Sequence, residues 1–333
     1  MRETDERSQQ GGPGSRTVAV TVASRIEPPG AAASSSSPLV QRLAIIGLGL
    51  IGASVGLACR ARGLAGEIRG ADEDPDHCAQ AVALGVVDWA AADAAVAVEG
   101  ADIVLLAVPV GAMEPTIKRI VPHLDSGAVV TDVGSVKGLV AAVMERLLPG
   151  GNGVPGHPIT GREKSGPHAA SAELFVGSKC VLTPSASTDP AAVLRVRTLW
   201  RAIGSEVLEM SPTRHDDIFA AVSHLPHVVS YALMGAMLDL ADGGDDLREF
   251  AAGGLKDFTR VAMSHPVMWR DICLANRQPI LKMIGQFQAA LDHLTVMINA
   301  EDGEGLYRQF ASAKAYREGF GNGNDGDDRK RTA

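Results

Sequence analysis

His157, in the glycine- and proline-rich stretch GHPITG, is the first residue in the chain with chemistry to offer. Imidazole is the side chain best matched to accepting or polarising a proton near neutral pH. Local sequence alone reads equally well as a loop histidine bonded only to backbone. Ser135, in DVGSVK, carries a hydroxyl that either orients such a ring or caps the helix that follows it. His224 and His227 in SHLPH stand three apart, on one face of any helix, with Pro226 distorting that helix between them. A metal pair would need a third ligand at suitable spacing, and none is evident; contact with a substrate is the better reading, and no metal is expected. Residues 254–272, GLKDFTRVAMSHPVMWRDI, set Lys256, Arg260 and Arg270 near Trp269 in an otherwise acidic chain. A guanidinium can donate two parallel hydrogen bonds to a carboxylate. A solvated face laced with salt bridges would use the same residues.

These side chains need a scaffold, and residues 42–59, RLAIIGLGLIGASVGLAC, begin it. A short apolar run ends abruptly at Gly47, and Gly49, Leu50, Ile51 and Gly52 open a small-residue helical pattern: strand, tight turn, helix. The first glycine permits the turn, the second lets backbone approach a pyrophosphate, and the third packs the helix on the strand while its N-terminal N–H groups face the phosphate charge. An acid should end the next strand, near the ribose hydroxyls, and Asp72 lies twenty residues after Gly52. The combination points to a dinucleotide, and the acid favours NAD over NADP.

Strand and helix alternate from Leu43 onward. Gly66–Gly70 is a second strand, DPDHCAQAVALG a helix, ADIVLLAVP a buried strand, Gly111–His123 a helix, and Ala128–Val133 another strand. The pattern predicts an α/β fold, a Rossmann-like doubly wound parallel sheet. Ligands bind outside the carboxyl ends of such strands, which places Val108, Pro109 and the Gly134–Lys137 loop beside the cofactor. Further strands are expected at Lys179–Pro184 and Glu206–Met210. Ser211 then offers an N-cap and Pro212 a first helical position, and only helical segments follow. The predicted organisation is a Ser/Gly/Pro-rich, disordered segment 1–38, a dinucleotide-binding domain 39–210, an all-α domain 211–320 and a disordered tail 321–333. The run VVSYALMGAMLDL is apolar nearly all round, which suits the core of a dimer.

Composition narrows the function classes. Neither tail supplies the net charge of −8, since residues 1–38 carry four basic and four acidic side chains and 321–333 three of each. The folded part is therefore acidic, which argues against a nucleic-acid surface. The four cysteines have no CxxC spacing, so neither a zinc site nor a disulfide framework is suggested. No uninterrupted apolar run of membrane length or signal-peptide core is found, and a cytoplasmic chain without a membrane partner is expected.

Taken together, GLGLIGAS, DVGSVK, GHPITGREKSG, SHLPH and GLKDFTRVAMSHPVMWRDI, in this order across about residues 42–316, resemble the prephenate/arogenate dehydrogenase family of tyrosine biosynthesis. The resemblance implies an NAD(P)-binding domain, a helical domain that interlocks two subunits of a homodimer, and oxidation of a cyclohexadienol with loss of carbon dioxide. It implies that His157 is the catalytic histidine, that Ser135 orients the reacting groups, that Arg260 holds a substrate carboxylate, and that His227, Lys256 and Glu163 line and gate the pocket. Lys256 stands where many members have arginine and Leu255 where an aromatic is common. Prephenate and arogenate, which differ by a keto group against an ammonium, are not separated by any of these motifs. A β-hydroxyacid type of dehydrogenase and a silent NAD-binding scaffold are the rivals; the first sits badly with SHLPH and KDFTR, the second with His157, Ser135 and Arg260 standing together.

Overall fold

The structure, a computed structural model, describes residues 37–161, 165–241 and 247–320. The expected disorder of the two tails, and Glu163, therefore lie outside the described residues, apart from the last two positions of the N-terminal segment. Among the described residues the strands are β1 (Val40–Ile46), β2 (Ala65–Ala71), β3 (Trp89–Ala91), β4 (Ile103–Leu106), β5 (Val129–Asp132), β6 (Gly153–Val154), β7 (Gly156–Ile159), β8 (Lys179–Leu182) and β9 (Glu206–Glu209). The first six form a parallel sheet in the order β3-β2-β1-β4-β5-β6. The other three form a separate sheet, in which β7 runs antiparallel to β8 and β8 parallel to β9. The sheet is therefore doubly wound as expected, but the strand bearing His157 is not part of it. β3 and β6, of three and two residues, are too short to leave a periodic signal.

Helices α1 (Leu50–Ala61), α2 (Pro75–Ala83), α3 (Ala94–Val98), α4 (Met113–Ile120), α5 (Gly138–Leu147) and α6 (Pro190–Ala202) are interleaved with the strands. Alternation along the strands sorts the core into two layers. Leu43 and Ile45 of β1, with Ile103 and Leu105 of β4, pack with Val55, Ala58 and Cys59 of α1 and Val196 and Trp200 of α6. Ala44, Ile46, Val104 and Leu106 point the other way, onto Ile117 of α4 and Val140 and Met144 of α5. Each such Leu or Ile contributes about 1.5–3 kcal/mol by leaving water.

After β9 the chain is helical: α7 (Pro212–Phe219), α8 (Leu225–Ala241), α9 (Gly253–Thr259), α10 (Pro266–Ala275), α11 (Arg277–Asn299) and α12 (Gly303–Glu318). Ser211 caps α7 by accepting from the Arg214 N–H, and Pro212 fills its first position, as the sequence suggests. Between α7 and α8, residues Ala220–His224 widen into a π turn just ahead of Pro226. By length and composition alone, Pro212–Leu240 would suffice to cross a membrane, with a mean hydropathy of 1.3 in its best window. Its inner face, however, buries His215, Asp216 and His224, polar groups bonded to other segments. That is the packing of a helix pair against protein.

Candidate functional site

The register of the parallel sheet sets four strand ends level: Ala71, Ile46, Leu106 and Asp132 are neighbours across it. Gly47, Asp72, Val108, Pro109 and Ser135 each follow one of these ends, so the sheet gathers them on one edge. Gly47 has φ of +96°, and a Cβ there would sit 2.3 Å from the carbonyl oxygen of Ala107. A Cβ on Gly52 would lie 2.0 Å from the Gly47 carbonyl, so this position fixes how closely α1 meets the turn. Gly49 is the N-cap of α1, which has no side-chain cap and no acid in its first turn. The space where its Cβ would stand is open. Leu50 and Ile51 form the first helical positions. The N–H groups of this helix end are therefore left to an anion. Asp72 is held by the Leu48 N–H at 2.7 Å and the Asp74 N–H at 2.9 Å, and His77 Nδ1 lies 3.4 Å from it. Open helix end, close-packed glycine turn and oriented acid fit a dinucleotide.

His157 is on β7, half-buried. Burial pulls its pKa well below 6.5, and the neighbouring His215, Lys137 and His224 pull the same way. Its Nδ1 lies 2.8 Å from Nε2 of His215, and His215 Nδ1 lies 2.8 Å from Oδ1 of Asp216. Asp216 is ionised: burial alone would raise its pKa, but the bonds from His215 and from the N–H groups of Lys137 and Gly138, each at 2.8 Å, hold it below the usual carboxylate value. A carboxylate can only accept, so His215 carries its proton on Nδ1. Burial lowers the pKa of His215 too, against the pull of Asp216. Its Nε2 is thus a lone pair that accepts the Nδ1–H of His157, and the free acceptor of His157 is Nε2.

Two further connections lock this chain. Lys137, wholly buried, is ion-paired with Asp132 and donates to the Gly156 carbonyl at 2.7 Å. Asp132 in turn accepts from the Gly156 N–H at 3.0 Å, so the end of β5 clamps the residue before His157. Asn276, between α10 and α11, donates to the Asp216 carbonyl at 2.9 Å and approaches Nδ1 of His224 at 3.0 Å. His224 is neutral, its pKa pushed down to about 4 by burial, so its proton is on Nε2. That Nε2–H and the Trp269 Nε1–H are buried donors with no acceptor among the described residues. Trp269 also stacks on His227, with ring centroids 3.7 Å apart, and His227 Nδ1–H donates to the Ser223 carbonyl at 2.9 Å. Val110 and Val136 pack on Trp269 and Ile272, joining the nucleotide edge to α10.

Ser135 is half-buried next to this loop, but the partner of the His157 ring is His215, and the N-cap of α5 is Lys137 rather than Ser135. Arg260 and Lys256 are exposed, on and just after α9. The Arg260 charge reaches His227, adding to burial in lowering its pKa. His215, Asp216 and Asn276 are missing from the sequence reading. The signal available was HDD in the first turns after an N-cap and proline, which shows polar residues near a helix start and nothing about the His157 ring 58 residues away from His215. Among the described residues no cluster of three metal-ligating side chains is present.

A parallel sheet with an open helix end, an oriented acid at the end of β2 and a neutral imidazole beside the same edge fits a nucleotide-dependent dehydrogenase. Residues 55–209 match the family model of the prephenate dehydrogenase nucleotide-binding domain, and residues 211–312 that of the prephenate dehydrogenase dimerization domain. Among curated relatives, prephenate dehydrogenase of Bacillus subtilis is 36% identical over 281 residues, covering 83% of this chain and 75% of the relative. Cyclohexadienyl dehydrogenase of Zymomonas mobilis is 36% identical over 278 residues, covering 83% and 95%. A prephenate dehydrogenase structure from A. aeolicus, in complex with hydroxyphenyl propionate and NAD+, superposes with a TM-score of 0.80 at 37% identity, covering 85% of this chain and 99% of that one. This chain belongs to the prephenate dehydrogenase family.

Proposed function

We propose that this chain is an NAD-dependent prephenate dehydrogenase, converting prephenate to 4-hydroxyphenylpyruvate and carbon dioxide on the route to tyrosine in the cytoplasm. The observation that carries the reading is His157, a neutral imidazole beside the nucleotide edge with Nδ1 engaged and Nε2 left as an acceptor. The relative crystallised with NAD+ and a hydroxyphenyl acid supports both the cofactor and the kind of ring the pocket takes.

Gly47, Gly49, Leu50, Ile51 and Gly52 would hold the pyrophosphate, Asp72 the ribose hydroxyls, and Val108 and Pro109 the nicotinamide side. Bound nicotinamide supplies the acceptor for the hydrogen and electron pair that leave the hydroxyl carbon. His157 Nε2 polarises the hydroxyl proton on that same carbon, and loss of the ring carboxylate completes an aromatic ring. Arg260 would hold a substrate carboxylate and Ser135 would orient the reacting groups; Lys256, Glu163 and His227, which lies flat against Trp269, would line and gate the rest of the pocket. Asp72, followed by Glu73 and Asp74, disfavours a 2′-phosphate.

The nucleotide-binding domain spans 39–210 and the helical domain 211–320, through which two copies pair. Exposed Leu238, Leu240, Val296, Ile298, Tyr307 and Phe310 on α8, α11 and α12 support that pairing, being too many large apolar groups for a solvated face. Arogenate is the second reading, favoured by a Synechocystis arogenate dehydrogenase structure at 30% identity and a TM-score of 0.71, covering 84% of this chain and 100% of that one. Following reduced nicotinamide by absorbance, with prephenate or arogenate and NAD or NADP, tests both. Turnover should be fastest with prephenate and NAD, and no turnover in any of the four mixtures would remove the assignment.

A further inference from the structure

We propose that His215 and Asp216 act through His157 as a positioning pair and as the place where a borrowed proton's charge is held during the reaction. The proposal rests on the reading of His157 as the group that accepts the substrate hydroxyl. The geometry is a continuous chain: His157 Nδ1 to His215 Nε2 at 2.8 Å, and His215 Nδ1 to the Asp216 carboxylate at 2.8 Å. Both rings are walled by Phe219, stacked on His215 at 4.3 Å between centroids and tilted against His157 at 4.8 Å. An apolar wall of this kind strengthens each bond in the chain.

The charged and titratable groups that face the pair come from four segments. Lys137, in the loop after β5, is paired with Asp132 at the end of that strand; the lysine still disfavours a charge on His157, whereas Asp132 favours one on His215. Cys180 on β8 keeps its proton, because burial raises its pKa. His224, from the π turn, is held as a neutral acceptor by Asn276. Among the described residues this leaves Asp216, on α7, as the anion without a cationic partner that faces the two rings.

The balance of the reaction explains why such a chain is buried. A carboxylate leaves as neutral carbon dioxide while the cofactor loses its positive charge, so no net proton is released. The proton drawn from the ring hydroxyl must go back to the same oxygen. As the O–H bond breaks, an N–H bond forms at His157 Nε2. The Nδ1 proton of His157 passes to His215 Nε2, while His215 Nδ1–H stays on the Asp216 carboxylate. The positive charge therefore rests one ring away from the reacting carbon, next to an anion. When carbon dioxide leaves and its electron pair enters the ring, both protons step back and the phenol keeps its own. A proton lent and returned needs no path to water, and His215 is fully buried.

Steady-state kinetics over pH with prephenate and NAD on His215→Gln, His215→Leu and His157→Asn test this, each variant first shown to be folded by circular dichroism. Glutamine offers an oxygen to His157 Nδ1–H but takes no proton, and kcat should fall about 10-fold; leucine offers nothing, and kcat should fall about 100-fold. KM for both substrates should stay within about 3-fold, since neither variant alters a group that binds them. The acid limb of kcat should move to lower pH in both, because the His157 imidazolium loses the neighbour that can take its proton and share its charge with Asp216. A loss of kcat with the acid limb unmoved would assign His215 to packing and overturn the proposal. Parent kcat in both His215 variants, with His157→Asn inactive, would overturn it and leave His157 in place. Parent kcat in His157→Asn would remove the reading on which the proposal stands.

Discussion

The two sides of the proposed cleft are built from different materials. The nucleotide edge is made of backbone: a glycine turn, the free N–H groups of α1 and one acid held by the Leu48 and Asp74 N–H groups. The histidine side is made of side chains drawn from distant segments, with His157 meeting His215 across 58 residues and Asn276 meeting His224 across 52. A site of backbone groups is specified where it stands, within about 25 residues of chain. A site of distant side chains exists only once every element is packed.

The largest expected effect separates the two sides. His157→Asn should lower kcat about 1,000-fold while leaving NAD affinity within about 2-fold, because in the proposed reaction the imidazole acts on the reacting hydroxyl and not on the cofactor's phosphates. Single-turnover kinetics and a fluorescence titration with NADH measure the two arms. A matching loss of nucleotide affinity would show that the sides are one mechanical unit. The reverse experiment, Gly52→Ala, places a Cβ 2.0 Å from the Gly47 carbonyl. It should cost about 3 kcal/mol of stability and weaken NAD binding by more than about 10-fold. Denaturant melts with parent stability would show that α1 can shift outward without strain.

The same contrast explains what could be read from the chain. GLGLIG, its strand and the place of Asp72 were legible because turn, helix start and an acid at the next strand end follow from local spacing and residue type. The start of α7 at Ser211 and Pro212 was legible for the same reason. His157 was visible as a residue but not as a site, since its strand pairs with β8 in a second sheet that no periodicity in GHPITG announces. Ser135 enters from its motif as a residue that would orient the reacting groups, but the ring contact of His157 is with His215, which α7 brings under β7 bonded to the Asp216 carboxylate. Asp216 also binds the N–H groups of Lys137 and Gly138, so one side chain ties the start of the helical part to the DVGSVK loop.

Acid should therefore damage the histidine side before the nucleotide edge. His224 is neutral in the fold, with its pKa pushed down from 6.5 to about 4, whereas the unfolded chain protonates it near 6.5. The unfolded state binds the extra proton between those values, so stability is complete above pH 6.5 and declines as pH falls toward 4. By pH 5 the loss from this one ring is about 2 kcal/mol. His157 and His215, lowered for the same reason, add to it in the same direction. Urea unfolding at pH 7 and pH 5 should show a smaller acid loss for His224→Gln than for the parent, and equal losses would place the sensitivity elsewhere.

The smallest effect is expected on the nucleotide edge, where one side chain sets a preference that the backbone leaves open. Asp72→Ser removes the carboxylate that would accept the ribose hydroxyls and repel a 2′-phosphate. It leaves the glycine turn and the α1 N-terminus intact, so binding of the pyrophosphate should persist. His77, now 3.4 Å from the Asp72 carboxylate, would be released to donate to a phosphate instead. Glu73 and Asp74 still follow, so the preference should relax rather than invert. The NAD/NADP ratio of kcat/KM should fall about 10-fold, equivalent to about 1.4 kcal/mol. The ratio, measured at fixed prephenate, separates this from a general loss of binding, which would lower both values together. An unchanged ratio would show that the acid at the end of β2 orients the turn through Leu48 and that a different group reads the ribose.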